Sequence, residues 1–210
     1  FLVSERMKKT VLAYNHKVNA QLLVQNYIEK SSINYYLSIM TPCMTIIGRS
    51  NSGKTTLIEG LVRRLTARGR RVAVVKHMRH DFEADREGKD TYRYRQAGSV
   101  ISAITNGTRM ALMADVPPGS MPQELAPSLF DAADLIIVEG NKESAGPKIE
   151  VMGDSAEKPL YLSGITEIVA LVCDRPLDAD LPCFRRDDVE GVERFILRFL
   201  AIEGDEGGRQ

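Results

Sequence analysis

GRSNSGKTT, residues 48–56, is the stretch of this chain that decides its fold. It matches G-x-x-x-x-G-K-[ST], the pattern of the phosphate-binding loop of nucleoside triphosphatases. Such a loop joins a buried strand to a helix, and the flanking residues fit that context. Met44–Ile47 is apolar like a buried strand, and Thr56–Leu65 has apolar residues at helical spacing. The sequence therefore predicts a phosphate loop between the first strand and first helix of an α/β domain, rather than a chance match in a Gly/Ser turn.

The residue types of this loop suit the phosphates of a nucleotide and a magnesium ion. Its glycines let the backbone turn tightly and point N–H groups at phosphate oxygens, near the positive end of the following helix. Lys54 would neutralise β- and γ-phosphate charge in a catalytic role, and the Thr55 hydroxyl would bind Mg²⁺. The nucleotide contacts predicted in the loop are Gly48, Asn51, Ser52, Gly53, Lys54, Thr55 and Thr56.

The composition excludes several other classes of protein. Lys plus Arg and Asp plus Glu are both 28 in 210 residues, so the overall charge points to neither a nucleic-acid nor a membrane partner. No apolar run is long enough to cross a bilayer, and no signal-peptide pattern is present. The three cysteines lack a C-x-x-C pair, which favours reduced thiols and a cytoplasmic location over disulfides or a zinc site.

The composition changes near residue 43. Residues 1–43 contain no Gly and no Asp, whereas the chain from Met44 onward is rich in both. The first segment is either a helical extension or an upstream segment ahead of a native start at Met44. We favour the second interpretation, because such a domain commonly begins at its first strand. We expect a nucleotide-binding domain over 44–200 and a polar, flexible tail over 201–210.

Strands and helices alternate along the predicted domain. After the first helix, further strands are predicted at 71–76, 134–139 and 168–173, and helices at 91–97, 123–132 and 188–200. Ser99–Thr105 and Arg109–Ala114 are predicted to pair as a hairpin, because Asn106-Gly107 between them is a strong turn signal. The pattern predicts a three-layer P-loop fold, with a mainly parallel sheet, helices on both faces and a β-hairpin insertion.

Ligands bind beyond the carboxyl ends of the strands in such a sheet, so the residues that follow strands are the candidates. Glu139 ends a hydrophobic strand, where a phosphate-loop protein needs an acidic partner for Mg²⁺. We predict Glu139 to bind the metal and to orient a catalytic water, a loop salt bridge being the alternative. Asp134 begins the same strand, at the wrong end for this role, and is expected to cap a turn.

The segment after the second strand gathers basic residues. Lys76 and His77 are predicted to contact phosphate. Asp85 is predicted to approach Mg²⁺ through water, with a solvated loop carboxylate as the alternative. A zinc site at His77 and His80 is not favoured, because no cysteine lies nearby.

Two further positions leave alternatives open. Asp174 follows the last core strand and is a candidate for reading the nucleotide base, the alternative being a turn-forming Asp. Arg49 lies over the phosphates, acts as an arginine finger across a dimer interface, or faces solvent. Asn141-Lys142-Glu143-Ser144 is rejected as a guanine reader, because it lacks the required Asp and follows the wrong strand.

Together with the loop, four further segments resemble the molybdopterin-guanine dinucleotide biosynthesis protein B (MobB) family. They are Val-Lys76-His77-x-x-His80-Asp81-Phe82, Asp85-x-x-Gly88-Lys89-Asp90-Thr91, Ala97-Gly98 and Val138-Glu139-Gly140-x-Lys142. The resemblance runs from Met44 to about Leu200. The chain departs from the family at Arg79, where a histidine is frequent, and at Glu87, where a proline is frequent.

The resemblance implies a GTP-binding accessory protein of molybdenum cofactor biosynthesis, with Mg²⁺, weak GTP hydrolysis and a homodimeric state. It would assist a MobA-type guanylyltransferase, which joins GMP to molybdopterin, and molybdopterin itself is a further expected ligand. GTP rather than ATP rests on the resemblance alone. The alternatives are an ATP-dependent small-molecule kinase or ligase similar to dethiobiotin synthetase, and a metal-insertion GTPase that uses His77 and His80.

Overall fold

The computed structural model describes residues 41–117, 119–121, 127–153, 158–175, 177 and 179–202. The predicted extension lies outside these residues except for its last three positions. Most of the predicted tail and the first four residues of the helix predicted at 123–132 also lie outside them. The division of the chain into extension, domain and tail therefore stays a prediction. No helix in the described part of the chain is long and apolar enough to cross a membrane.

The described residues form eight strands, four α-helices and one short 3₁₀ helix. In chain order they are β1 (Cys43–Gly48), α1 (Lys54–Ala67), β2 (Val72–Lys76), α2 (Asp90–Gln96), β3 (Ile101–Thr105), β4 (Met110–Ala114), α3 (Pro127–Phe130), β5 (Leu135–Glu139), β6 (Lys148–Val151), the 3₁₀ helix (Leu160–Leu162), β7 (Ile168–Val172), β8 (Cys183–Phe184) and α4 (Val189–Phe199).

Six of the strands form one parallel sheet, in the order β2-β5-β1-β6-β7-β8. The central strands β1 and β5 are almost wholly buried apolar runs, as expected for strands covered on both faces. Because all six strands run the same way, their carboxyl ends meet at one edge, and β1 delivers the phosphate loop to that edge. The predicted α/β fold with a mainly parallel sheet is confirmed.

The main core lies between one face of the sheet and the helices α1 and α4. Helix α1 buries Leu57, Ile58, Leu61 and Leu65, whose spacing of three and four residues places them on one face. Helix α4 is capped by Asp188, whose Oδ1 accepts a hydrogen bond from Gly191 N at 2.8 Å. A smaller cluster covers the other face, where Met121 and Phe130 pack against Ile136 and Val138 of β5 and partly buried side chains of β1 and β2. This second cluster joins the α3 segment to the sheet.

The predicted hairpin forms a separate antiparallel sheet of β3 and β4. Thr105 pairs with Met110, so the connection has four residues rather than the two of a tight Asn-Gly turn. The longer loop is stabilised by the Asn106 side chain, whose Oδ1 accepts from Thr108 N at 3.1 Å and Arg109 N at 2.8 Å. The hairpin is confirmed, and its turn is wider than expected.

Strand β6 is the main element that the sequence patterns did not predict. It lies between β1 and β7 and includes the buried charged residues Lys148 and Glu150. Lys148 Nζ donates to Gly146 O at 3.0 Å and to Thr166 O at 3.3 Å. These contacts satisfy a charge that would otherwise be costly to bury. A strand with two charged residues in four does not have the apolar pattern by which buried strands are recognised.

Candidate nucleotide-binding site

The phosphate loop has a backbone shape that its glycines permit. A Cβ atom at Gly48 would overlap Val151 O and Ser52 Oγ, so any larger residue displaces the loop or β6. Gly53 has a φ of 96°, in the region that favours glycine. Helix α1 begins at Lys54, and no side chain caps it. The first backbone N–H groups of the helix are therefore available to bind a ligand of the loop.

One buried polar atom in the loop has no partner. Ser52 is 2% exposed and its Oγ forms no hydrogen bond. A buried hydroxyl of this kind is costly unless it finds a partner, and phosphate oxygen is a suitable one. The loop therefore fits the triphosphate that its sequence predicts.

A cleft of about 470 Å³ opens above the loop. Its lining contains most of the residues predicted from the sequence to contact nucleotide or metal, namely Asn51, Ser52, Gly53, Lys54, Thr55, Thr56, Lys76 and Glu139, together with Ser50. Residues from the loop, from the end of β2 and from the end of β5 are thus brought to one place, as the parallel sheet requires.

The cleft is basic apart from one carboxylate. Burial lowers the pKa of Lys54, and the nearby charges of Lys142 and Lys76 lower it further, while Glu139 opposes both effects. The Lys54 ammonium donates to Arg49 O within the loop. Lys76 Nζ lies 3.7 Å from Glu139 Oε1. A group of cations held this close to a helix N-terminus favours a polyanionic ligand.

Two oxygen donors in the cleft suit magnesium. Thr55 Oγ1 lies 3.1 Å from Glu139 Oε1, at the opening of the loop. Mg²⁺ prefers such hard oxygen ligands and is usually held by one or two side chains together with substrate phosphates. The described residues contain no group of three or more His, Cys, Asp and Glu side chains that could hold a metal by themselves. Thr55 and Glu139 thus fit a magnesium ion that arrives with a nucleotide.

Four of the predicted site residues do not line the cleft, namely Gly48, His77, Asp85 and Asp174. His77 contributes its backbone: His77 N donates to Glu139 O at 2.9 Å, and a Cβ at Gly140 would lie 2.8 Å from His77 O. Asp85 Oδ1 accepts from Thr91 Oγ1 at 2.9 Å, so it holds the loop before α2. Asp134 lies at the opposite end of β5 and pairs with Arg71 at 2.7 Å, so it joins the starts of β5 and β2 instead of capping a turn as expected.

Asp174 lies after β7 and is bound to a residue that the sequence did not single out. Its Oδ1 accepts from Arg186 N at 3.0 Å and its Oδ2 from Arg186 Nε at 2.6 Å. These hydrogen bonds hold the pKa of Asp174 below its ordinary value. Arg186 Cδ lies 3.9 Å from the position of a Cβ at Gly53, so the pair adjoins the phosphate loop. Arg186 follows the two-residue strand β8, which is too short to be recognised from its sequence.

Comparison with known proteins identifies the family. The family model described as molybdopterin guanine dinucleotide synthesis protein B matches residues 43–174. The chain belongs to the MobB family. A molybdopterin-guanine dinucleotide biosynthesis adapter protein of Escherichia coli is 34% identical to it, over 77% of this chain and 94% of the relative. Its counterpart in Haemophilus influenzae is 36% identical, over 79% of this chain and 93% of the relative.

Solved structures of MobB proteins have the same fold. A crystal structure of molybdopterin-guanine biosynthesis protein B is 30% identical, with a TM-score of 0.59, and the match covers 75% of this chain and 99% of the other. The structure of Bacillus subtilis MobB is 26% identical, with a TM-score of 0.60, over 75% and 96% of the two chains. The family and the fold expected from the sequence are both confirmed.

Proposed function

We propose that this chain is a GTP-binding adapter of molybdopterin-guanine dinucleotide biosynthesis, which assists attachment of GMP to molybdopterin. The observation that carries the proposal is the convergence of Lys54, Thr55 and Glu139 in one cleft above an uncapped helix N-terminus. The relatives in Escherichia coli and Haemophilus influenzae are adapter proteins of molybdopterin-guanine dinucleotide biosynthesis, and this supports the pathway that we propose.

Different groups in the cleft bind the phosphates and the metal ion. The backbone N–H groups of the loop and the Lys54 ammonium bind the β- and γ-phosphates. Thr55 Oγ1 and Glu139 Oε1 hold Mg²⁺, which when bound neutralises phosphate charge. Lys76, at 3.7 Å from Glu139, adds a further positive charge to the same edge of the cleft.

Hydrolysis by this site is proposed to be weak. Among the described residues that line the cleft, Glu139 is the one carboxylate, and no Gln or His side chain is present to orient water. Glu139 Oε1 already accepts a hydrogen bond from Thr55 and lies near Lys76, so it is a poor general base. Slow GTP hydrolysis is compatible with an adapter, because an adapter acts by binding a partner protein. We propose that this partner is a MobA-type guanylyltransferase and that the two proteins meet in the cytoplasm.

The hairpin is the surface proposed for a homodimer. Strand pairing places Ile101, Met110 and Leu112 on one face of the two-stranded sheet, and they are 57%, 53% and 46% exposed. Contiguous exposed apolar residues of this kind mark interaction surfaces. A second copy that presents the same face would bury both sets of side chains.

Leu112→Glu is then expected to give a monomer in analytical ultracentrifugation, whereas Leu129→Glu, at an exposed leucine of α3, leaves the dimer intact. A dimer that survives Leu112→Glu places the interface elsewhere.

Calorimetric titration with GTP and ATP, with and without Mg²⁺, tests the nucleotide assignment. Lys54→Ala should weaken GTP binding by about 10- to 100-fold, the usual effect of losing a hydrogen bond to a charged group. Arg63→Ala, on the exposed face of the same helix, is the matched control and should bind as the wild type does. A preference for ATP, or unchanged binding by Lys54→Ala, contradicts the proposal.

The adapter role needs a separate experiment. The cognate guanylyltransferase is passed over immobilised chain in the presence of no nucleotide, GDP, or GTP with Mg²⁺. We expect retention in at least one of these states. If the guanylyltransferase is retained in none of these states, the chain is not its adapter, and GTP binding serves another purpose.

A further inference from the structure

An ion pair at the carboxyl ends of β7 and β8 adjoins the phosphate loop. Asp174 follows β7 and Arg186 follows β8, and these two strands pair in parallel. Arg186 Cδ lies 3.9 Å from the position of a Cβ at Gly53 in the loop. The Arg186 side chain is 30% exposed, so a ligand that extends from the loop can reach it.

The metal-binding end of the cleft fixes the direction of a bound nucleotide. Thr55 Oγ1 and Lys76 Nζ lie 3.1 Å and 3.7 Å from Glu139 Oε1. Glu139 and Lys76 end β5 and β2, which lie on one side of β1 in the sheet. Mg²⁺ bridges the β- and γ-phosphates of a nucleotide, so the γ-phosphate belongs on that side. The base, at the other end of the nucleotide, then belongs on the side of β6, β7 and β8.

The spacing of the strands places Arg186 near the expected position of the base. Strands β7 and β8 are the second and third neighbours of β1 on that side. Adjacent strands lie about 4.8 Å apart, so the ends of β7 and β8 lie about 10 and 14 Å from the start of the phosphate loop. The α-phosphate and the ribose separate the base from the phosphates bound by the loop, and they span a comparable distance. Arg186 reaches back from β8 to Gly53 and therefore lies beside this part of the nucleotide.

Both carboxylate oxygens of Asp174 bind Arg186. Oδ1 accepts from the Arg186 backbone N at 3.0 Å, and Oδ2 accepts from Arg186 Nε at 2.6 Å. Because one contact holds the backbone and the other holds the side chain, Asp174 fixes the direction of the guanidinium plane. Nε is one of five N–H groups of a guanidinium, so this contact orients the group without using up its donors.

A guanidinium fixed in this way can distinguish guanine from adenine. Guanine presents two acceptors, O6 and N7, on one edge, and arginine binds both with two hydrogen bonds. Adenine presents N7 but has an amino group in place of O6, so it offers a donor where arginine needs an acceptor. Lysine lacks the planar fork and cannot make the same pair of contacts.

We propose that Arg186, held by Asp174, binds O6 and N7 of the guanine base and so selects GTP over ATP. This inference rests on the proposed function, in which a nucleotide binds with its phosphates in the loop. It assigns contact with the base to Arg186 and makes Asp174 a positioning residue. It differs from the sequence-based prediction, in which Asp174 reads the base itself.

The test compares three nucleotides by calorimetric titration of the wild-type chain with Mg²⁺. In 7-deaza-GTP a C–H group replaces N7, and it should bind at least about 10-fold more weakly than GTP, as expected for a lost hydrogen bond to a charged group. ITP lacks the amino group at C2 but keeps O6 and N7, so it should bind as tightly as GTP. Direct reading by Asp174 would use N1–H and that amino group and gives the opposite order. Weak binding of ITP with unchanged binding of 7-deaza-GTP therefore overturns the proposal.

Variants assign the contact to a residue. Arg186→Lys keeps the charge without the fork, so the ratio of GTP to 7-deaza-GTP affinities should fall to about one. Arg185→Gln is the matched control, because Arg185 is an exposed neighbour paired with Asp187, and it should keep the wild-type ratio. Asp174→Asn should lower the ratio without raising the affinity for XTP, in which an oxygen replaces the amino group at C2. A gain in XTP affinity would show that Asp174 itself contacts the base and would overturn the proposal.

These outcomes separate the inference from the proposed function. If the wild type binds none of the nucleotides, the assignment of the nucleotide cleft fails, and the role of Arg186 fails with it. If GTP binds but 7-deaza-GTP binds equally well, or if Arg186→Lys keeps the wild-type ratio, the role of Arg186 alone fails. A thermal melt checks the folding of each variant, and the comparison of nucleotides on the wild type carries the test if Arg186→Lys does not fold.

Discussion

Thr55 Oγ1 and Glu139 Oε1 lie 3.1 Å apart, although 84 positions separate them in the sequence. The hydrogen bond joins the first turn of α1 to the last residue of β5. It exists because β1 and β5 are neighbouring parallel strands, with Ile46 paired to Glu139. Two oxygen donors suited to magnesium are therefore held in place by the main sheet rather than by a loop.

Glu139→Gln is expected to remove most of the effect of Mg²⁺ on GTP binding. Glutamine keeps the size of the side chain and its hydrogen bond to Thr55, but it loses the charge that attracts the cation. The ratio of GTP affinities with MgCl₂ and with EDTA should fall at least about 10-fold, as expected for a lost charge-assisted contact. Glu59→Gln, at an exposed position of α1, should keep the wild-type ratio. A full Mg²⁺ effect in Glu139→Gln would exclude this residue as a metal ligand.

Gly48→Ala is expected to impair both binding and stability. The added methyl group overlaps Val151 O and Ser52 Oγ, so the loop and β6 must separate. Overpacking of this kind typically costs about 1–3 kcal/mol in the free energy of unfolding. Gly98→Ala is the control: it has a positive φ of 102° but nothing within 4 Å of its Cβ. It should lose stability without losing GTP affinity, whereas equal losses of affinity in the two variants would refute the steric explanation.

Glu193→Ala is expected to destabilise the contact between α1 and α4. Glu193 is fully buried and accepts from Arg64 Nε at 2.6 Å, with Arg68 Nε at 3.4 Å. Because Arg64 and Arg68 are partly exposed, the loss of Glu193 should cost about 1.5–3 kcal/mol, the range for a hydrogen bond between charged groups, measurable by urea unfolding. Glu190→Ala removes a half-exposed partner of the same Arg64 and should cost less than about 1 kcal/mol. Similar losses for the two variants would show that burial does not set the strength of this network.

The three thiols are expected to differ in reactivity. Burial raises the pKa of Cys43 to about 11, and burial also raises the pKa of Cys173, whereas Cys183 is exposed. Because the thiolate is the reactive form, and about one Cys43 thiol in a thousand is ionised at pH 8, Cys43 should react slowly. Ellman's reagent at pH 8 should show one fast thiol in the native protein and none in Cys183→Ser. More than one fast thiol would mean that Cys43 or Cys173 is accessible.

The sequence predicts the parts of the site that depend on local pattern. The phosphate loop, the strand that ends in Glu139 and the helix capped by Asp188 each have a signal within a few residues. Strand β6 has none, because Lys148 and Glu150 resemble surface residues until their distant partners are known. The contact between Asp174 and Arg186 was equally hidden, since it depends on β8, two residues long, lying beside β7.

His77 illustrates a different limit. Its position after β2 was predicted from the sequence, but the structure uses its backbone against Glu139 and Gly140 rather than its imidazole in the cleft. Sequence patterns place a residue at the edge of a sheet, while the direction of its side chain depends on the local twist of the chain. The residue beside it, Lys76, does face the cleft.

The close approach of Gly48 to Val151 has a consequence for the order in which the protein is made. Synthesis proceeds from the amino terminus, and the whole phosphate-loop motif emerges about 100 residues before the strand on which Gly48 rests. A nascent chain that ends before β6 contains every residue of the motif but lacks the strand against which Gly48 packs. Under the proposed function, nucleotide binding would begin only after most of the domain has left the ribosome, and the bound nucleotide would report that the domain has folded.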